Sequence, residues 1–440
     1  MSIVAAKRHP LGIAYLARTD RWLPGRGDAT VDLLWVALAL ALVRGIIYAL
    51  LNPPFGSPDE RDHVQYVRYL ATGQGERGAE GHQPVPYYLL MVPAYLLAAG
   101  GGREMEDLAI RLASVPFLMG VVLFTWLAAR RMAPGRPLVA VVATALVALH
   151  PQLAYIGASA NNDNAANLMA AVLTYLMVML LSADTPRWVV PATAVALGAA
   201  LMTKGQILPV AAAAAAALLW RTGSVGVRHH GWLGPCVACG LAAAALVMRT
   251  PSGDLMLARA QAAIGVLLDQ QARGFGARVT LPGAIWYQFA SFWAAFLGES
   301  VRPATPWYAL PAGVLAASVV AGVGSCVRHA AAGRLPLPGS DLACYAALLW
   351  VVLAEWSIPH VIFGQVMRDD PANPWILQQL QGRYALGSAA AIALMVGRAA
   401  SAGGPREPVR GPAIALLALG AFDLASAAAL VWWRGWQLPQ

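Results

Sequence analysis

The sequence predicts an all-α polytopic membrane protein. Of its 440 residues, 58% are hydrophobic, and the mean hydropathy is +0.57, whereas soluble domains hold roughly 45–50% apolar residues. Apolar runs of about 20 residues, long enough to cross a hydrocarbon core of about 30 Å, recur with short polar breaks. We therefore expect one membrane domain over 31–433, between a basic segment, 1–30, and a short outer tail, 434–440.

Charge placement orients the chain. The formal net charge of +9 lies largely in short loops, where the positive-inside rule expects Lys and Arg on the cytoplasmic side. Membrane topology thus accounts for the basicity without nucleic-acid binding. With the N-terminus and the basic loops in the cytoplasm, about eleven crossings are expected, at 31–51, 107–130, 138–156, 164–182, 188–203, 205–220, 232–249, 307–327, 341–358, 383–398 and 411–433.

One apolar piece, 84–100, is not counted as a crossing. It is short and carries Pro93 near its middle. A crossing here would place the basic stretch "ARRMAPGR" (129–136) outside, against the charge rule. We expect this piece to lie along the outer interface or dip into it, as one of the interface helices of a first outer loop that covers 52–106.

An acidic cluster, "NPPFGSPDERDH" (52–63), follows the first span. Ser57 is a good N-cap, Pro58 suits the first helical position, and Glu60 completes an S-x-x-E capping box. The pattern predicts a short surface helix over 58–71, and capping explains the carboxylate of Glu60.

Asp59 has no such capping duty. With His63 and Tyr66 it falls at i, i+4 and i+7, on one face of the predicted helix. That face could present a carboxylate and an imidazole at the membrane boundary, where a general base would be needed. The alternative is a solvated helix start, because acids are also favoured in the first turn by the helix dipole.

Several further motifs occur in a fixed order. They are "HQPVPYYLL" (82–90), "RLASVPFLMGVVLFTWLAARRMAPGRPLVAVVATALVALHPQLAY" (111–155), "SANNDNAANLMAAV" (159–172), "LMTKGQIL" (201–208), "SFWAAFLGESVRP" (291–303) and "QGRYALGSAAA" (381–391). With the acidic cluster, this set resembles the GT-C superfamily of integral membrane glycosyltransferases. It is most similar to the bacterial domain-of-unknown-function group that has an acidic pair after the first helix and a QGRY motif.

The resemblance implies a GT-C-like bundle and a reaction. A hexosyl or pentosyl group would move, with inversion, from a polyprenyl-phosphate carrier to an envelope glycan, lipid or protein on the outer face of the cytoplasmic membrane. Asp59 matches the family's general base, and Glu60 is its usual catalytic neighbour. Arg383, Lys204 and His82 are the expected donor-phosphate contacts, since cations suit a phosphate leaving group.

Other polar residues are placed near the same outer mouth. His63, Tyr66, Asn161, Asn162, Asp163 and Tyr384 are candidates for binding sugar or acceptor. An ordinary turn and helix N-cap is the alternative explanation of the Asn-Asn-Asp segment. No metal-ligand set is predicted, and a divalent cation, Mg²⁺ or Mn²⁺, is left open.

Two other functions remain. An envelope polysaccharide polymerase or ligase also handles polyprenyl-linked glycans, but it would rely on outer-loop arginines rather than an acidic pair. A transporter or flippase of lipid-linked glycans would place coupling acids in mid-membrane beside broken helices. Arg44 and Asp423 are the deep candidates for that role.

Overall fold

A computed structural model describes residues 29–182, 184–225, 281–297, 300–331, 339–369, 381–400 and 410–437. Within these ranges the chain is helical and forms no named strand, apart from one isolated antiparallel bridge between Phe296 and Val301. The all-α prediction is therefore confirmed. The expected crossing at 232–249 and nearly all of the basic segment 1–30 lie outside the described residues.

The described ranges contain fourteen α-helices. They are α1 (Ala29–Leu51), α2 (Glu60–Thr72), α3 (Pro86–Ala98), α4 (Arg103–Met132), α5 (Pro137–Ala148), α6 (Pro151–Gly157), α7 (Asp163–Leu181), α8 (Val189–Leu201), α9 (Leu208–Val225), α10 (Leu281–Trp293), α11 (Ala309–Ala331), α12 (Gly339–Asp369), α13 (Ala389–Ala400) and α14 (Arg410–Gln437). Short 3₁₀ helices occupy Ala79–His82, Gly205–Ile207, Thr305–Tyr308 and Gly382–Ser388.

Five stretches are long and apolar enough to cross a membrane. They are Thr30–Leu51, Arg103–Met132, Asp163–Leu181, Thr305–Ser325 and Gly411–Trp433. The bent pair α5 and α6 could form a sixth crossing, and α3, α8 and Leu342–Ser357 are shorter apolar helices. The polytopic class is thus confirmed, while the total of about eleven crossings stays a prediction.

The crossing expected as one helix over 138–156 is broken. α5 ends at Ala148, α6 begins at Pro151, and their axes differ by 58°. Proline disfavours helical geometry in the preceding residue and lacks an amide hydrogen, so Pro151 ends one helix and starts another. His150 caps the second helix, since its Nδ1 accepts a hydrogen bond from the Leu153 amide at 3.2 Å.

α3 has the length expected of an interface helix. Its 13 residues extend about 20 Å, well short of a hydrocarbon core of about 30 Å. α3 packs against α2 and α4, and Val64, Val67, Tyr87, Tyr88 and Ile110 belong to the small apolar cluster between these helices. This cluster holds the segment between α1 and α4 against the bundle.

α4 is the central scaffold of the described bundle. Its 30 residues pack against α1, α3, α5 and α7. α5 packs in turn on α13, where Gly397 lies so close to α5 that an added methyl would contact the Val139 carbonyl oxygen at 2.6 Å. The candidate site lies at the opposite end of the bundle from this contact.

A buried ion pair joins the first and last helices. Arg44 on α1 donates to the Asp423 carboxylate on α14 and to the Ala148 carbonyl that the break in α5 exposes. Arg44 and Asp423 are both largely buried. Because an unpaired charge at this depth is costly, each member depends on the other.

We expect the single variants Arg44→Leu and Asp423→Leu each to lower the free energy of unfolding by about 3–5 kcal/mol, because each strands one buried charge. The double variant should be less destabilised than the sum of the singles. Unfolding of the purified protein in mild detergent measures all three. Additive losses would show that the two charges do not act as a pair.

Candidate functional site

The helix that carries the acidic cluster begins two residues later than the capping pattern predicts. α2 starts at Glu60, and Asp59 takes the N-cap position with left-handed backbone angles, φ 60° and ψ 5°. The Glu60 carboxylate does accept the Ser57 amide at 3.1 Å, as in a capping box. The Ser57 hydroxyl instead accepts a hydrogen bond from Asn52 at 2.6 Å, so the predicted N-cap and helix start at 58 are wrong.

Arg111 explains this departure from local rules. It lies on α4, and its side chain is 3% exposed. Its Nε and Nη2 donate to the two oxygens of Glu60 at 2.9 and 2.6 Å, and Nη2 also lies 2.8 Å from Asp107. The carbonyls of Ala49, Asn52 and Pro53 accept its remaining hydrogen bonds.

Glu60 is consequently a structural hub. Besides Arg111 and Ser57, its carboxylate accepts the Ala160 amide at 2.9 Å, and its side chain is fully buried. Both oxygens are therefore engaged by N–H donors. Although the sequence-based prediction paired Glu60 with Asp59 in catalysis, its contacts tie α1, α2, α4 and the 158–162 turn together.

Asp59, by contrast, remains accessible. Its carboxylate accepts a hydrogen bond from Arg383 Nη2 at 2.8 Å, and the two side chains are 44% and 5% exposed, respectively. Arg383 also lies over the Tyr384 ring, and its Nη2 is 3.1 Å from the Tyr384 hydroxyl. Residues 324 positions apart in the sequence thus meet at one point.

The loop that carries Arg383 is fixed by backbone contact. The Gly382 amide donates to Ser291 Oγ at 2.7 Å. A methyl group at Gly382 would overlap backbone atoms of Phe292 and Gln288, so the close approach to α10 requires glycine. This approach sets the position of Arg383 relative to the bundle.

A second ion pair lies beside the first. Lys204 Nζ donates to Asp163 Oδ1 at 2.6 Å, and the side chains are 14% and 0% exposed. Asp163 begins α7, and its amide donates to Asn161 Oδ1 at 2.9 Å. The Asn161 amide group reaches the Pro58 carbonyl at 3.2 Å, so this residue both accepts the first amide of α7 and supports the turn before Asp59.

The other predicted residues take different positions. Asn162 is fully buried and donates to Gln83 Oε1 at 3.4 Å. His82 is next to that glutamine, with its Nδ1 2.8 Å from the Ala79 carbonyl oxygen. His63 and Tyr66 are 0% and 4% exposed and pack on Tyr88 instead of facing an open mouth.

The charges of the site act on each other. Burial on its own would raise the pKa of Asp59, but the charge and hydrogen bond of Arg383, with the charge of Lys204, hold it below the usual carboxyl range. Burial, followed by the charge of Lys204, lowers the pKa of His63 to about 3. His63 is therefore neutral at physiological pH.

A divalent cation, Mg²⁺ or Mn²⁺, stays a prediction. The described residues contain no group of three or more His, Cys, Asp or Glu side chains placed to hold a metal. Asp59 and Asp163 are instead each paired with a basic side chain. We therefore derive no step through a metal.

The partners of Glu60 and Asn162 are not predicted from the sequence. Arg111 was read only as part of a crossing, although its i+4 spacing from Asp107 on a membrane helix was a signal. Gln83 and Thr203, whose oxygens accept from Asn162, gave no local signal. These contacts depend on tertiary packing.

Known proteins resemble this chain in family and in fold. The family model described as dolichyl-phosphate-mannose-protein mannosyltransferase matches residues 82–248. No curated protein sequence matches the chain. The apo oligosaccharyltransferase of Archaeoglobus fulgidus is similar in structure, with a TM-score of 0.51 at 13% identity over 92% of this chain and 56% of that chain.

Two further solved structures are similar over much of this chain. AglB from Archaeoglobus fulgidus, in complex with an inhibitory peptide and a dolichol-phosphate, gives a TM-score of 0.46 at 14% identity over 90% of this chain and 56% of that one. ArnT from Cupriavidus metallidurans bound to undecaprenyl phosphate gives a TM-score of 0.37 at 16% identity over 85% of this chain and 78% of that one.

The chain spans little more than half the length of the archaeal chains, at 56%. What it shares with the first of them, at 13% identity, is the fold. The family match and this shared fold confirm the resemblance to the GT-C superfamily that the ordered motifs predicted.

Glu60→Gln should destabilise the protein by about 3 kcal/mol, because it leaves the buried Arg111 guanidinium short of one negative charge. Glu104→Gln, at an exposed position in the first turn of α4, is the matched control and should change stability by less than about 0.5 kcal/mol. Detergent-phase unfolding compares the two. Equal effects would mean that Glu60 does not anchor the loop.

Proposed function

We propose that this chain is an inverting glycosyltransferase that moves a sugar from a polyprenyl-phosphate carrier to an envelope acceptor. The observation that carries this proposal is the ion pair between Asp59 and Arg383. It places an accessible carboxylate beside a buried cation, as a base and a leaving-group site require. The GT-C-type fold and the matched family model support the same reaction class.

The proposed step is a single displacement. Asp59 takes the proton of an acceptor hydroxyl while that oxygen bonds to the anomeric carbon of the sugar. The bond from the anomeric carbon to the phosphate oxygen breaks, and its electron pair stays with the lipid phosphate. Attack opposite the leaving group inverts the anomeric centre, and no nucleotide is needed.

Arg383 is suited to hold the departing phosphate. Its Nη2 is engaged by Asp59, whereas Nε and Nη1 are buried and have no hydrogen-bond partner among the described residues. Each of these two nitrogens can donate a charge-assisted hydrogen bond to a phosphate oxygen. Lys204 supplies a second positive charge, because Asp163 holds the pKa of this lysine above its ordinary value despite burial.

The remaining predicted residues support these groups. Glu60, through Arg111, positions Asp59 rather than reacting itself. Tyr384 flanks Arg383, and we assign it, with Asn162, to the walls of the substrate cavity. His82 reaches the same region beside Gln83 and is placed to contact phosphate or sugar.

Orientation and partners follow from the charge rule. The basic loop 129–136 lies at the end of α4 opposite the site, so the site faces the outer side of the cytoplasmic membrane and the N-terminus lies inside. Donor and acceptor then meet at the outer surface. The acceptor is a glycan, lipid or protein of the envelope.

Transport of lipid-linked glycans is the second candidate, since the broken α5–α6 pair beside Arg44 and Asp423 is the feature expected of it. This polar group is closed, however, because Arg44 satisfies both the carboxylate and the exposed carbonyl of Ala148. A fixed ion pair gives no vacancy for a coupling ion. A transporter would also move labelled lipid-linked glycan across vesicles without transferring its sugar.

Asp59→Asn should abolish sugar transfer, with a loss of at least about 10²–10⁴-fold in rate, because the amide cannot accept the proton. Asp62→Asn, in the same acidic cluster, is the matched control and should keep near-normal rates. Mass spectrometry of envelope glycans and lipid-linked sugars reads out product and accumulated donor. Full transfer by a folded Asp59→Asn protein would refute the proposed base.

The pH profile tests the ion pair. Arg383 lowers the pKa of Asp59. As the pH is lowered from neutral, kcat/KM should therefore stay constant down to about pH 4, the ordinary pKa of Asp, and should decrease only below that pH. In Arg383→Met the effect of burial dominates, so the acid limb should move above about pH 4. If the acid limb of Arg383→Met stayed where it is in the wild type, Arg383 would not control the pKa of Asp59.

A further inference from the structure

A second set of polar side chains lies next to the ion pairs of the site. Asn167, Gln206 and Glu355 form this set, which we call the second polar layer. Asn167 and Glu355 are 3% and 2% exposed. Every side-chain nitrogen and oxygen of the three residues is buried without a hydrogen-bond partner in the described part of the chain.

Two members follow the Lys204–Asp163 pair along the chain. Asn167 is four residues beyond Asp163, about 6 Å further along the same face of α7. Gln206 is two residues beyond Lys204, in the 3₁₀ turn that leads into α9. Each of these two unpaired side-chain amides therefore follows a charged residue of the site within four positions of the sequence.

Glu355 lies against the segment that carries Arg383. Its carboxylate faces Gly387, where an added methyl would lie 3.0 and 3.1 Å from the two oxygens. Gly387 is four residues beyond Arg383 in the 3₁₀ helix, a rise of about 8 Å. The 3₁₀ helix that carries Arg383 near its start thus contacts Glu355 near its end.

These segments run in one direction and pack together. α7 leads from the site towards the Arg131–Asp184 ion pair beside the basic loop, and α13 leads from Gly387 to the same end of the bundle. α7 contacts α12 and both 3₁₀ turns, α12 contacts the Gly382–Ser388 turn, and the two turns contact each other. The second polar layer therefore lies next to the ion pairs, on the side of the bundle that leads towards the basic loop.

The chemistry of the layer selects a ligand class. A phosphate needs donors and positive charge, and a cation needs oxygen ligands alone. This layer offers two amide donor groups together with amide and carboxylate acceptors. A polyhydroxylated ring, whose substituents donate and accept, matches that mixture, and orphaned buried groups call for such a partner.

We propose that the second polar layer seats the sugar ring of the donor, and that Glu355 accepts a hydrogen bond from a ring hydroxyl or amino group. The inference rests on the proposed function, because the phosphate at Arg383 anchors the donor above this layer. It assigns the recognition of the sugar to residues that do not touch the breaking bond.

The test compares two ligands on the full chain in nanodiscs. One is undecaprenyl phosphate, and the other is a panel of undecaprenyl-phosphate-linked hexoses, pentoses and amino-pentoses. The wild type should bind at least one glycosylated lipid more tightly than the bare lipid. Glu355→Leu and Asn167→Leu should remove about ten- to a hundredfold of that gain while changing affinity for the bare lipid by less than about twofold.

Thr174→Val is the matched control. Thr174 lies seven residues beyond Asn167 on α7, and its buried hydroxyl also lacks a partner among the described residues. This variant should leave both affinities unchanged. If Glu355→Leu does not fold, Glu355→Gln replaces it, because the glutamine keeps the shape but loses one acceptor and should still reduce the gain.

The outcomes separate the two proposals. A wild type that binds neither lipid would contradict the proposed function itself. A wild type that prefers a glycosylated lipid, with the preference intact in the Glu355 and Asn167 variants, would overturn only the sugar seat. Equal affinity of the wild type for the bare lipid and for the whole panel would overturn it as well.

Discussion

The contact between Arg111 and Glu60 is the constraint on which the candidate site depends. A guanidinium offers a planar fork of donors, and here that fork serves two carboxylates and three backbone carbonyls at once. Burying such a charge is unfavourable unless every donor is satisfied. The donors of Arg111 are satisfied in one arrangement of the end of α1, the start of α2 and the 158–162 turn. In that arrangement Asp59 lies outside the hydrogen-bond network of Arg111 and remains accessible.

Charge is layered around this anchor. In the anchor each oxygen of Glu60 is bonded, while Asp107 Oδ1 is buried without a partner among the described residues. The pairs Asp59–Arg383 and Lys204–Asp163 are half open, since Arg383 and Asp163 retain buried atoms without partners among the described residues. The second polar layer is open throughout. Buried polar atoms without described partners thus occur at the ion pairs and in the second polar layer as well as in the anchor.

Hydrophobic patterning predicted the helical class and the main spans, because apolar length is a local property of the sequence. Charge placement brought Asp59, Arg383, Lys204 and Asp163 to one mouth, since the positive-inside rule fixes which loops share a side. Two predictions were wrong, one because of a tertiary contact and one because of a local break. The capping pattern around Ser57 could not anticipate that Arg111 would claim Glu60, and apolar continuity over 138–156 concealed the break that Pro151 imposes.

The close contact at Gly382 has an evolutionary consequence. The Gly382 backbone packs on the backbone of Gln288 and Phe292 in α10, and this contact sets the position of the neighbouring Arg383. Any side chain larger than hydrogen at position 382 would push the segment of Arg383 away from α10, so this position is expected to stay glycine.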